Sequence, residues 1–255
     1  MLAGLVPARA AVAAAVEEVA FSSDGYELHG FIHRPDGPGP FPAVLYNHGS
    51  ERLPGSKPGI AATFNAQGYV VFVPHRRGHG RSPGPYIMDQ IGTGPSRGSR
   101  LVELLDAHVK DVVAALEYLR QLAYVDPARI AVAGCSFGGI QTMLLAERGL
   151  GVRAAVAFAP GAITWDGTPE IRQRLITAAQ NARMPVFLLQ AENDYNVAPS
   201  RVLAQELARA GKPYKMQIFP AYGTTHQDGH GGFCSSGSAW GAAVSTFLAE
   251  YLQSK

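Results

Sequence analysis

The chain has 255 residues, of which 47% are hydrophobic and 16% charged, and its formal net charge is +2. That balance fits one compact domain with a sizeable core and excludes a disordered or fibrous chain. The small net charge, with no basic stripe, argues against nucleic acid as a partner, and no apolar run approaches the roughly 18–20 residues of a membrane span.

Residues 1–16 are rich in Ala, Leu and Val. Ala8-Arg9-Ala10 has the small-x-small look of a signal cleavage site, without the charged leading region or the full apolar stretch of such a signal. The segment reads either as the remnant of an export signal or as an Ala-rich helical extension. The compartment stays open between exported and cytoplasmic, and a single domain is expected over 17–255.

From there, short β-rich runs alternate with amphipathic helical runs, the pattern of a mostly parallel sheet flanked by helices. Phe21 and Leu28–His33 read as opening strands around an Asp24-Gly25 turn. Ala43–Asn47 is a third strand, Gly59–Gln67 a helix stopped by Gly68, and Tyr69–Val73 a buried strand. A polar, glycine-rich excursion covers His75–Ser99. Leu101–Leu122 is a strong helix, because Leu101, Leu104, Leu105, Val109, Val112, Val113, Leu116 and Leu119 recur at helical spacing. Asp126-Pro127 opens a turn. Strands then fall at Ile130–Gly134, Val152–Ala159, Val186–Gln190 and Lys215–Phe219. Helices fall at Ile140–Glu147, Pro169–Asn181, Pro199–Ala210 and Ala239–Tyr251. The segment between Pro160 and Pro185 has room for one helix but not for a large lid domain.

Gly134-Cys135-Ser136-Phe137-Gly138-Gly139 fits a G-x-S-x-G elbow, and its setting between a strand and a helix is what the chemistry needs. The sharp turn exposes the Ser136 hydroxyl, and the helix start aims free N–H groups at the reacting centre. A serine hydroxyl is a weak nucleophile and needs an imidazole base held by a carboxylate. In chain order the carboxylate comes next. Asp194 is preferred over Glu192, which follows the strand Val186–Gln190 too closely to turn toward the site. The base lies in the loop after the last strand, where His230, flanked by glycines, is preferred over His226.

His226, His230 and Cys234 would form a metal-ligand row only on a helix, and Gly229, Gly231 and Gly232 argue against one. No metal and no organic cofactor are expected. The two oxyanion donors expected are the N–H groups of Phe137 and of Ser50, in Asn47-His48-Gly49-Ser50 after the third strand. His48, Trp165 and Tyr195 are candidate substrate contacts, with a structural role the stronger reading for His48. Trp240 reads as core. Arg76, Arg77 and Arg81 read as site wall held by local salt bridges, with a substrate carboxylate bound by Arg76 or Arg77 the alternative. Cys135 and Cys234 should come near one another, with free buried thiols the default and a disulfide the alternative.

Three segments, Asn47-His48-Gly49-Ser50, Arg77-Gly78-His79-Gly80-Arg81-Ser82 and the elbow, with Gly229-His230-Gly231-Gly232-Phe233, carry a family likeness. On them the chain resembles the dienelactone hydrolase-like branch of the α/β-hydrolase fold, near the prolyl-oligopeptidase-type esterases. Dienelactone hydrolases proper have cysteine at the elbow, where Ser136 stands here. The resemblance implies cleavage of a small carboxylic ester without a cofactor. A peptidase or amidase using Ser136, Asp194 and His230, and a non-catalytic binding protein of this fold, remain the alternatives. Oligomeric state is not legible.

Overall fold

The computed structural model describes residues 15–252. The readings made on residues 1–14 lie outside the described residues. Ala15 and Val16, assigned above to the extension, already belong to the first strand. The strands are β1 (Ala15–Ser23), β2 (Tyr26–Arg34), β3 (Phe41–Asn47), β4 (Val70–Pro74), β5 (Val125–Cys135), β6 (Ala154–Phe158), β7 (Val186–Ala191) and β8 (Tyr214–Phe219). They form one sheet in the order β1-β2-β4-β3-β5-β6-β7-β8. The β1–β2 and β2–β4 pairs are antiparallel and the others parallel.

The helices are α1 (Pro58–Asn65), α2 (Ile87–Gln90), α3 (Arg97–Arg120), α4 (Phe137–Arg148), α5 (Pro169–Gln180), α6 (Ala198–Arg209), α7 (Phe233–Ser235) and α8 (Gly237–Leu252). One core lies between the sheet and α3 to α6, and includes Leu101, Leu105, Val109, Val112 and Leu116 of α3. The second lies under α1 and α8, where Ile60, Phe64, Trp240, Val244 and Leu248 meet Val71, Val156 and Phe187 of the sheet. Each such side chain contributes about 1.5–3 kcal/mol by leaving water. The central strands β4, β6 and β7 are buried along their whole length, which is why they read as unbroken apolar runs.

Two local expectations change. The turn at Asp126-Pro127 is a bulge inside β5. The pairing steps from Phe41–Val125 to Ala43–Ile130, so β5 carries extra residues against β3. Asp126 closes the bulge by accepting the Ala128 N–H at 2.9 Å and Arg129 Nε at 2.6 Å. The His75–Ser99 excursion is not wholly irregular, since α2 forms within it and buries Ile87. Segment 159–185 holds α5 as its one helix among the described residues, and no lid domain covers the sheet edge.

Candidate active site

The carboxyl ends of the parallel strands deliver the candidate residues. Ser136 joins β5 to α4 with φ 59° and ψ −120°, a conformation that L-residues adopt only when the surroundings impose it. Its N–H donates to Phe158 O at 3.0 Å, and its carbonyl accepts the Ile140 N–H at 3.0 Å. The turn is this sharp because two glycines let α4 meet the strands. A Cβ on Gly138 would sit 1.9 Å from Asn47 O, and one on Gly134 would sit 2.5 Å from Gly138 O. Phe137 heads α4, so its N–H is among the first-turn donors that have no acceptor within the helix.

Asp194 follows β7 and is buried. Its carboxylate accepts the Tyr195 N–H at 2.6 Å and Gln190 Nε2 at 3.0 Å. Gln190 is itself held by Ser200 Oγ at 2.6 Å. His230 Nδ1 lies 2.9 Å from Asp194 Oδ1 and 3.1 Å from Oδ2, which makes Nδ1 the protonated nitrogen. His230 Nε2 is buried with no hydrogen-bond partner among the described residues. Glu192 is exposed and does not reach an imidazole; its N–H pairs with Phe219 O instead. His226 is exposed and engages the Asn193 carbonyl at 3.0 Å.

The loop around His230 departs from the sequence reading. Asp228–Gly232 winds into a π-helical turn that runs directly into α7, although three glycines had argued against a helix. Glycine costs only about 1 kcal/mol per helical position, and local and tertiary hydrogen bonds offset that. Asp228 accepts the Thr224 and Thr225 N–H groups at 3.1 and 3.0 Å. Asn193 Nδ2 donates to the Tyr222 and Thr225 carbonyls at 3.0 Å, and Trp240 Nε1 donates to Phe233 O at 3.1 Å.

The default of free thiols is also overturned. Cys135 and Cys234 form a disulfide, so the residue before Ser136 is tied to the short helix after His230. With its sulfur bonded, Cys234 is not a thiolate available to a metal.

A cavity of about 310 Å³ opens beside Ser136 and His230. Gly49 and Ser50 form one wall, with the position of a Gly49 Cβ 3.6 Å from Ser136 Cβ. Ile60, Ile163 and the disulfide are apolar parts of the lining. Its charged parts are Glu51 and Lys57, which pair with each other. Burial pushes the Glu51 carboxyl up, but the charge and hydrogen bond of Lys57 more than offset this, and the net shift is downward. Sequence reasoning did not single out Glu51, Lys57, Gln190 or Asn193. Only the proximity of Glu51 to the Asn47–Ser50 motif hinted at the first.

Three expected substrate contacts are not in the cavity lining. His48 is fully buried among His75, His79 and Arg76. Trp165 is buried in the α5-side core, because its loop folds inward under α5. Tyr195 packs edge-on against His230, with ring centroids 5.6 Å apart, and donates to Gln227, which does line the cavity. Trp240 is core, as read. Arg77 grips Asp111 through Nε and Nη2, and Arg81 pairs with Glu18. Arg76 has no ion pair among the described residues and donates to carbonyls instead.

The description of the dienelactone hydrolase family matches residues 28–247. The chain belongs to that family. The sheet order and the elbow are those of its α/β-hydrolase fold, and the proteins that the chain resembles include peptidases and a protein solved with ferulic acid bound. The chain is 28% identical to dipeptidyl peptidase 8 of Mus musculus in an alignment of 232 positions, and the match covers 78% of this chain and 25% of that protein. The acylaminoacyl peptidase of Pyrococcus horikoshii superposes with a TM-score of 0.74 at 17% identity, covering 96% of this chain and 43% of that one. Est1E of Butyrivibrio proteoclasticus, solved with ferulic acid, superposes with a TM-score of 0.67 at 20% identity over 91% of this chain and 98% of its own. The chain thus spans about a quarter of dipeptidyl peptidase 8 and less than half of the acylaminoacyl peptidase.

No helix among the described residues is long and apolar enough to cross a membrane.

Proposed function

We propose that this member of the family is a serine hydrolase that cleaves small carboxylic esters through an acyl-enzyme. The observation that carries the reading is the Asp194–His230 pair, whose imidazole lines the same cavity as Ser136. Asp194 holds the Nδ1–H tautomer, so the Nε2 lone pair takes the Ser136 hydroxyl proton as Oγ attacks the ester carbonyl. The carbonyl oxygen gains negative charge and is met by the N–H groups of Phe137 and Ser50. His230 then returns its proton to the leaving alcohol. Water, deprotonated by the same imidazole, releases the acid from Ser136. No step calls on a metal or an organic cofactor.

Ester rather than peptide cleavage is supported by the small cavity and by Est1E, which matches this chain over nearly its full length. Dipeptidyl peptidase 8 and the acylaminoacyl peptidase carry more than half of their length outside the match. Their likeness still favours a second reading, an amidase or peptidase on the same residues. Turnover of matched p-nitrophenyl ester and p-nitroanilide substrates separates the two.

The test of the serine assignment is direct. A fluorophosphonate should label the native chain once, and Ser136→Ala should lose labelling together with roughly a million-fold in kcat. Ester turnover retained by that variant contradicts the assignment.

A further inference from the structure

Arg76 is the largest charged side chain enclosed by the fold, 1% exposed and fully surrounded. Burial pulls its guanidinium down to about 10, so it remains charged at neutral pH. Enclosing a charge without a carboxylate partner costs several kcal/mol unless hydrogen bonds offset it. Its bonds are specific. Nη1 donates to His48 O at 2.9 Å and Nη2 donates to Gly49 O at 2.7 Å. His48 completes the clamp. Its Nε2 accepts the Arg76 N–H at 3.3 Å, so Nδ1 carries the proton and donates to Gly49 O at 2.9 Å. The Gly49 carbonyl therefore receives two donors from one side.

In a planar trans peptide the C=O and the following N–H point in opposite directions. Fixing the Gly49 carbonyl on Arg76 thus aims the Ser50 N–H away from the guanidinium. The Ser50 N–H makes no hydrogen bond among the described residues, and Ser50 lines the cavity beside Ser136. The guanidinium also polarises that peptide, since drawing electron density toward the carbonyl oxygen makes the N–H a stronger donor.

We propose that Arg76 is a positioning residue for the oxyanion-facing peptide Gly49–Ser50: it acts through that peptide and never touches substrate. The proposal rests on the serine-hydrolase reading given above. A purely structural staple would account for the hydrogen bonds but not for a buried charge that Glu51 and Asp111 offset only through space, with no ion-pair contact among the described residues, because a neutral donor would hold the carbonyls at lower desolvation cost. Arg77, one residue on, shows the structural alternative, a charge neutralised by Asp111.

The experiment compares native chain, Arg76→Gln and Arg76→Lys, with Arg77→Lys as the control. Each is assayed on a p-nitrophenyl ester, with inhibition by a trifluoromethyl ketone, whose serine adduct carries an oxyanion, and by the product acid. Arg76→Gln should lower kcat about 10- to 100-fold, less than the 100- to 1,000-fold typical of deleting an oxyanion donor outright. KM and product affinity should change by less than about threefold, and the ketone inhibition constant should rise in step with kcat/KM. Arg76→Lys should fall between native and Arg76→Gln. Arg77→Lys should melt at lower temperature with kcat nearly unchanged.

A folded Arg76→Gln with native kcat overturns the proposal, as does a kcat loss that leaves ketone affinity untouched. A crystal structure of the native chain with the ketone is decisive without any variant. An oxyanion within hydrogen-bond reach of the Ser50 N–H, with the Arg76–Gly49 bond kept, supports it. An oxyanion elsewhere on a Ser136 adduct overturns it. No adduct at Ser136 refutes the serine-hydrolase reading instead.

Discussion

Breaking the bond between Cys135 and Cys234 perturbs stability and the site together. The two residues are 99 apart in sequence, so the bond closes a long loop in the unfolded chain. Chain-entropy reasoning assigns about 4.7 kcal/mol to a loop of that length, and measured losses for single disulfides usually fall at 2–4 kcal/mol. Both cysteines are buried, so replacing them with alanine also leaves a small void in the α8-side core. The double variant Cys135→Ala/Cys234→Ala should therefore lose about 3 kcal/mol, equivalent to a fall in Tm of about 6–12 °C for a domain of this size. Urea unfolding of the oxidised chain, the dithiothreitol-reduced chain and the variant measures it, and the reduced chain and the variant should agree within about 1 kcal/mol.

The effect on turnover should be smaller, a fall of a few-fold. The segment around His230 is also pinned by Asn193, by Asp228 and by the Trp240–Phe233 bond, none of which needs the disulfide. A thiol titration of the denatured, unreduced chain is the sharpest check, because the sequence holds two cysteines and both should be silent. Two reactive thiols, or an oxidised chain no more stable than the reduced one, would refute the reasoning.

Two further outcomes follow from buried charge. Burial, reinforced by Arg76, pushes His79 down to about 4 and His108 down to about 2. In the unfolded chain a histidine titrates near 6.5, so below about pH 6.5 the unfolded chain takes up protons that the folded one refuses, and stability falls by on the order of 3 kcal/mol per group by pH 4. Urea midpoints that stay level between pH 7 and 4, or a slope unchanged by His108→Leu, would contradict this. In the cavity, Lys57→Met leaves Glu51 without its ion-pair partner beside Gly49 and Ser136, where negative charge must develop. Turnover should drop about tenfold, or ~1.4 kcal/mol, and the added Glu51→Gln change should restore most of it; a double variant as slow as the single one would count against the electrostatic cause.

The alternation of apolar runs, the elbow at Ser136 and the loops bearing Asp194 and His230 were all legible in the sequence. Each depends on spacing over a few neighbouring residues: period 3.6 in α3, unbroken burial in β4, β6 and β7, and paired glycines around one serine. Which members of each loop meet was decided by folding. Glu192 against Asp194 and His226 against His230 differ by two and four positions, yet only one pair comes within 2.9 Å, across 36 residues of chain. The disulfide, the coiling of Asp228–Gly232, the inward burial of His48 and Trp165, and the placement of Arg76, Glu51 and Lys57 belong to the same class. They are set by distances between segments remote in the chain, where contacts worth a few kcal/mol override local preferences of about one.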